Sequence, residues 1–169
     1  MWDRFRPHHI ARCLNEVDCG DLVERGIRGV LLDLDNTITE WHSMDILPEI
    51  EAWVAQLKEV GLLGCIISNA VTAGRVQPIA DRLGLPWITR AMKPFPIAFR
   101  SGMRMMGTTP ETTAIVGDQL FTDILGGNRV GLYTILVEPF SCSESIHTRL
   151  LHRPLERLIG RIPKDRPAQ

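Results

Sequence analysis

Pairs of carboxylates, a hydroxyl and a lysine recur in this 169-residue sequence at the ends of short apolar runs. The first run is Gly29 to Thr37, read G-V-L-L-D-L-D-N-T, in which Asp33 and Asp35 interrupt Val30, Leu31, Leu32 and Leu34. A second run, Leu63 to Ile67, leads into Ser68-Asn69-Ala70. Lys93 follows a third, Leu85 to Ile88, and Gly117-Asp118 closes a fourth, with Asp123 five residues on. Carboxylates are seldom buried unless paired or bound to a cation. Taken alone, a D-x-D is equally well a strand end with solvated turn aspartates. Brought together, carboxylates, a lysine and a hydroxyl suit a divalent cation and a phosphoryl group. Hard oxygen ligands fit magnesium, and lysine and the Ser-Asn turn balance phosphate charge. A carboxylate can also attack phosphorus, dividing one hard step into two easier ones.

The elements between these runs explain how they could meet. Residues 1–28 read as a lead-in of short amphipathic pieces punctuated by Gly20 and Gly26. The first run predicts a buried strand ending at Asp33. Residues 36–47 form a loop whose tip, carrying Trp41 and His42, could lie over the site; His42 is not expected to be catalytic. Pro48 starts a helix in which Ile50, Trp53, Val54, Leu57 and Val60 recur at helical spacing before Gly61. Strands are expected at 63–67, 85–88, 113–116 and 133–137, and helices at 72–83, 96–106 and after Asp118. Met103, Met105 and Met106 read as core and surface filler. The alternation predicts one α/β domain, a doubly wound parallel sheet with helices on both faces. Ligands of such sheets lie at the carboxyl ends of the strands, where all these polar residues fall.

DLDNT, SNA, KP and GDQLFTD match, in order and spacing, the four motifs of the haloacid dehalogenase (HAD) superfamily phosphatases. The wording G-D-Q-L-F-T-D-I-L-G-G-N-R-V-G-L further resembles the YqeG-like branch, which is similar to the mitochondrial phosphatidylglycerophosphate phosphatase. The resemblance implies a HAD-like Rossmannoid fold and a magnesium-dependent phosphatase. It makes Asp33 the nucleophile and Asp35 the acid and base. It places magnesium on Asp33, the backbone carbonyl of Asp35, and Asp118. Ser68 and Lys93 would bind the transferring phosphoryl group, with Asn69 helping through its backbone N–H. Thr37 would orient the nucleophile loop, and Asp123 would support the metal site or Lys93. Having Asp35 favours a phosphatase over a dehalogenase. Relatives often carry Asn at the position of Ala70, which bears on substrate contact and removes no core catalytic group.

The spacings leave no room for a cap domain. Asp33 to Ser68 is 35 residues and Ser68 to Lys93 is 25, each filled by a helix and its connections. An open site suits a lipid headgroup at a membrane, a protein or a nucleic acid, or completion by a partner subunit. Composition narrows the partners. A net charge of −1 gives no general case for nucleic acid, and no apolar stretch spans a bilayer. The amino terminus has no apolar signal core. Cys13, Cys19, Cys65 and Cys142 lack metal-type spacing and read as reduced thiols, Cys65 in the core. These features predict a cytoplasmic protein.

The sequence divides into the lead-in 1–28, a catalytic core 29–137 and a segment 138–169. In the last, Arg149, Arg153, Arg157 and Arg161 recur every four residues, and residues 146–169 hold six basic and two acidic side chains. Such a segment either packs on the domain with its arginines in water or lies peripherally on an anionic bilayer. The aromatic-basic run Trp2, Arg4, Phe5, Arg6 suits an interface too. The reading that joins these features is hydrolysis of phosphatidylglycerophosphate, an anionic lipid, to phosphatidylglycerol. Its rivals are a phosphatase for soluble sugar phosphates, nucleotides or phosphoproteins, and a regulatory binding module that keeps the site.

Overall fold

The computed structural model describes residues 2–139. Six parallel strands form one sheet: β1 His9–Ala11, β2 Gly29–Leu32, β3 Leu63–Ile67, β4 Trp87–Ile88, β5 Thr113–Gly117 and β6 Tyr133–Val137. Their order across the sheet is β1-β6-β5-β2-β3-β4. The helices are α1 Cys19–Glu24, α2 Pro48–Glu59, α3 Ala73–Leu83, α4 Pro96–Met106 and α5 Leu125–Val130. The doubly wound sheet expected from the apolar runs is therefore present, with one strand more than they predict.

Alternation along each strand divides the core into two layers. Val30 and Leu32 of β2 pack with Ile50, Trp53, Val54 and Leu57 of α2 and Ile79 of α3. Leu31, pointing the other way, packs with Cys65, Ile67 and Ile115 against Phe99 and Met103 of α4. Gly102 lets α4 approach closely, since a Cβ there would lie 2.5 Å from Leu31. As expected, Met103 and Met106 are core and Met105 is exposed. The helices stop where the sequence placed glycine: Gly84 and Gly107 cap α3 and α4 at φ 60° and 65°.

Three differences from the sequence reading have simple causes. The lead-in contributes β1, which pairs with β6 through His9–Ala11 and Ile135–Val137. The strand expected to end at Asp33 ends at Leu32; the Asp33 N–H still donates to the Val116 carbonyl at 2.9 Å, but its side chain already faces the site. The chain after Asp118 first forms a π-turn, Leu120–Ile124, before α5 begins. The segments between β2 and β3 and between β3 and β5 hold only α2, or α3, β4 and α4, with their loops. The arginine stripe at 149–161 and Cys142 lie outside the described residues. Among those residues no helix is long and apolar enough to cross a membrane.

Candidate active site

The chain runs from β2 outward through β3 and β4, then returns to β5 and β6 on the other side. The switch in direction falls between β2 and β5, where open α/β sheets leave a crevice at the strands' carboxyl ends. Asp33 follows β2 and Asp118 follows β5, so the topology sets these carboxylates side by side. Asp123 arrives from the π-turn. Its carboxylate folds back beneath Gly117, where a Cβ would lie 2.3 Å from Asp123 Oδ2, and it accepts the Gln119 N–H at 3.2 Å. Only glycine fits at 117.

Lys93 ties this cluster together. Its Nζ donates to Asp33 Oδ1 and, at 2.7 Å, to Asp123 Oδ1. All three side chains are almost wholly buried, at 2%, 6% and 0% exposure. Asn69 holds the lysine's backbone from both sides: Lys93 N–H donates to Asn69 Oδ1 at 2.8 Å, and Asn69 Nδ2 donates to the Lys93 carbonyl at 3.1 Å. Motif two thereby positions motif three through the side chain of Asn69. Ser68 is buried, its Oγ accepting the Ala70 N–H at 3.1 Å.

One oxygen from each of Asp33, Asp118 and Asp123 lies within 4.8 Å of the others. Asp33 Oδ2, Asp118 Oδ1 and Thr37 Oγ1 are buried with no hydrogen-bond partner. Unpartnered buried oxygens are costly, and three carboxylates against one ammonium leave an excess of negative charge. Hard oxygens in this arrangement fit a divalent cation. The electrostatics carry the same mark. Burial pushes the Asp118 carboxyl up to about 7, with the Asp123 charge adding to it. Burial likewise raises Asp33, against the pull of Lys93, with Asp123 and Asp118 adding to the rise. Lys93 is drawn down by burial, but Asp123 and Asp33 more than offset this, so its proton is held above the ordinary lysine value.

Above the cluster lies a pocket of about 480 Å³ lined by Asp33, Asp35, Lys93, Asn69 and residues of the surrounding loops. Asp35 is half-turned toward solvent and paired with Arg75 Nη1. Arg75 was not legible as a site residue. It stands in the first turn of α3 and also donates to two carbonyls of the 36–47 loop, Glu40 at 2.9 Å and Ser43 at 3.1 Å. This strap holds Trp41 and His42 at the pocket wall, as the position of the loop predicted. The available signal was the helix start itself, since helices in such a sheet begin at the catalytic edge. Thus Asp33, Asp123 and Lys93 share direct ion pairs, Asp118 stands beside them, and Asp35 faces the same pocket. Thr37 and Ser68 lie buried in the adjoining loops and are not among the pocket walls.

A switch-point cluster of carboxylates around a buried lysine, in a doubly wound sheet, has the donor chemistry that suits a divalent cation and a phosphoryl group. A family model for mitochondrial PGP phosphatase matches residues 3–82, and a HAD-hydrolase-like model matches residues 91–149. The probable phosphatase YqeG of Bacillus subtilis is 38% identical over 155 residues, covering 92% of this chain and 89% of that protein. Phosphatidylglycerophosphate phosphatase 1 of Arabidopsis thaliana is 29% identical over 146 residues, 82% of this chain and 42% of that longer protein. Among solved structures, the cobalt-bound deoxy-D-mannose-octulosonate 8-phosphate phosphatase YrbI of Haemophilus influenzae shares the fold, with a TM-score of 0.55 at 17% identity over 67% of this chain and 69% of that one. The chain belongs to the HAD-family phosphatases, in the branch of YqeG and the phosphatidylglycerophosphate phosphatases, and is a phosphoric monoester hydrolase.

Proposed function

We propose that this enzyme hydrolyses phosphatidylglycerophosphate to phosphatidylglycerol through a phosphorylated Asp33, with magnesium as cofactor. The observation that carries the chemistry is the buried Lys93 bridging Asp33 and Asp123 beside Asp118, with one oxygen of each carboxylate within 4.8 Å of the others. The catalytic unit in this reading is 29–137.

Asp33 supplies the attacking oxygen; a bond forms from it to phosphorus as the bond from phosphorus to the alcohol oxygen breaks. Asp35 gives its proton to that leaving oxygen, then takes one from the water that attacks the phosphorylated Asp33. The second displacement frees inorganic phosphate and restores the Asp33 carboxylate. Lys93 balances the phosphoryl charge, and the Ser68-Asn69 turn supports the same group. Thr37 orients the nucleophile loop, and Asp123 holds Lys93 in place. Asp33, the Asp35 carbonyl and Asp118 would hold magnesium, which would supply charge neutralisation for the phosphoryl group.

The lipid assignment draws support from the relatives of matching name and from the open pocket. The test is magnesium-dependent phosphate release from phosphatidylglycerophosphate in mixed micelles, beside a panel of soluble phosphomonoesters. The lipid is expected to be preferred by orders of magnitude. Equal or faster cleavage of soluble esters would end the lipid assignment and leave the chemistry standing. Asp33→Asn is expected to abolish turnover on every ester with the fold retained; full activity of that variant on an aryl phosphate would refute the mechanism.

A further inference from the structure

Large apolar side chains exposed to water gather at the catalytic edge of the sheet. The loop after β2 presents Trp41 and Met44, that after β3 Val71, that after β4 Met92 and Phe95, and the turn after β5 Phe121. Three aromatic rings here are well exposed: Trp41 at 60%, Phe95 at 62% and Phe121 at 63%. Exposed apolar surface of this kind, drawn from four separate loops, marks a place of contact. The rim is continuous with the reaction site, because Trp41 and Val71 are also walls of the pocket that holds Asp33 and Lys93. Whatever covers the rim must therefore deliver a phosphate ester into the pocket.

A guanidinium stands among the rings. Arg90 is exposed and anchored by its Nε to the Val71 carbonyl at 2.8 Å. Phe5 packs its ring edge-on against Phe121 at 5.3 Å between centroids, while Arg4 and Arg129 flank a separate depression of about 400 Å³ farther down α5, whose last turn leads to the amino end of β6. Glu40 and Asp45, in the loop that carries Trp41, are the acidic side chains exposed nearest that ring in sequence. Aromatic rings beside long arginine stems suit a membrane interface. The rings seat at headgroup depth, and the guanidiniums meet lipid phosphates.

We propose that the catalytic rim is a docking face for an anionic lipid bilayer. Trp41, Val71, Phe95 and Phe121 enter the headgroup layer, while Arg90 pairs with a lipid phosphate. The pocket mouth is then pressed to the bilayer, and a phosphomonoester headgroup reaches Asp33 without its lipid leaving the membrane. This rests on the lipid substrate proposed above. It is independent of the carboxyl-terminal arginine stripe.

The test is flotation of the full-length chain with vesicles of phosphatidylcholine and phosphatidylglycerol, and with phosphatidylcholine alone. The variants are Phe95→Ser, Phe95→Ser/Phe121→Ser and Arg90→Gln. As control, Val60→Ser/Leu63→Ser changes exposed apolar residues at the opposite edge of the sheet. Thermal melting and hydrolysis of a soluble aryl phosphate verify that each variant is folded. Wild-type protein is expected to float with the anionic vesicles. The double Phe variant should bind about tenfold or more weakly, Arg90→Gln should weaken the preference for anionic lipid, and the control pair should bind as wild type. Equal binding by wild type and folded rim variants, or equal weakening by the opposite-edge pair, would overturn the proposal. So would absence of vesicle binding together with rim-dependent self-association, which would make the occupant a second copy of the chain. Rim-dependent binding without hydrolysis of phosphatidylglycerophosphate would uphold the face and remove the substrate. Hydrolysis in micelles without rim-dependent vesicle binding would remove the face and keep the substrate.

Discussion

Magnesium should bind this protein in exchange for protons. The Asp118 carboxyl, pushed by burial and Asp123 up to about 7, is largely protonated at pH 6 in the metal-free protein. A coordinating carboxylate must be ionised, so the ion has to displace that proton. With a pKa of about 7, ionisation rises from roughly a tenth at pH 6 to roughly nine-tenths at pH 8, so apparent affinity should weaken about tenfold over that fall in pH, or about 1.4 kcal/mol. Asp33 is raised as well. If its proton exchanges too, the loss approaches about a hundredfold. Calorimetric titration at pH 6 and 8, in buffers of different ionisation enthalpy, reads both the affinity and the protons released. Asp118→Asn should remove its share of that release. The same affinity at both pH values, with no proton released, would refute this account. Stability follows the same sign. A carboxyl raised from 3.8 to about 7 stabilises the fold below its unfolded value, and that contribution is lost as pH rises through about 7. The metal-free protein should therefore melt at lower temperature at pH 8 than at pH 5, and magnesium should restore most of the difference.

Three further outcomes follow from single contacts. Lys93→Met leaves Asp33 and Asp123 buried without their shared ammonium. Thermal or urea unfolding of the metal-free protein should show a loss of about 3–5 kcal/mol, and turnover should fall at least about a hundredfold; near-normal stability would mean that the pair is not the keystone described. Gly117→Ala forces a Cβ onto Asp123 and should cost about 1–3 kcal/mol with a sharp drop in kcat, whereas unchanged kcat would show that Asp123 can move without consequence. Arg75→Gln should lower kcat/KM for alkyl phosphates about 10–100-fold and for aryl phosphates much less, because kcat/KM reports the first displacement, in which only the poor leaving group needs the proton from Asp35. An equal loss on both would show that Arg75 does not act through Asp35.

The layered sheet was legible because its central strands are continuous apolar runs, and runs such as Leu63–Ile67 and Thr113–Gly117 admit few other readings. The site's neighbourhood was legible for the same reason: polar residues immediately after such strands must gather at one edge. The features without a local signal depend on partners distant in sequence. His9-Ile10-Ala11 has too few residues to show a period, and becomes a strand only because β6 offers a free edge. The π-turn after Asp118 is fixed by the Asp123 carboxylate folding under Gly117, a contact that no local pattern encodes. Arg75 looks like one more charge on the polar side of a helix; its three acceptors lie 32 to 40 residues away. Asn69 was assigned by its backbone, while its side chain does the holding.

The pairing of β1 with β6 also dictates a timetable. A ribosome releases the amino end first, yet His8 finds its partner Thr134 only 126 residues later. The strands β2, β3 and β4 can zip together as they emerge, and β5 can join β2 soon afterwards. The opening strand must wait, solvated and unpaired, until nearly the whole described fold has left the exit tunnel. Contacts of such long separation form slowly. Until β6 arrives, β5 is an open edge, ready to accept a strand from any neighbouring nascent chain. Completion of the sheet thus waits for β6, and a chain stalled before that strand emerges would be a seed for misassembly.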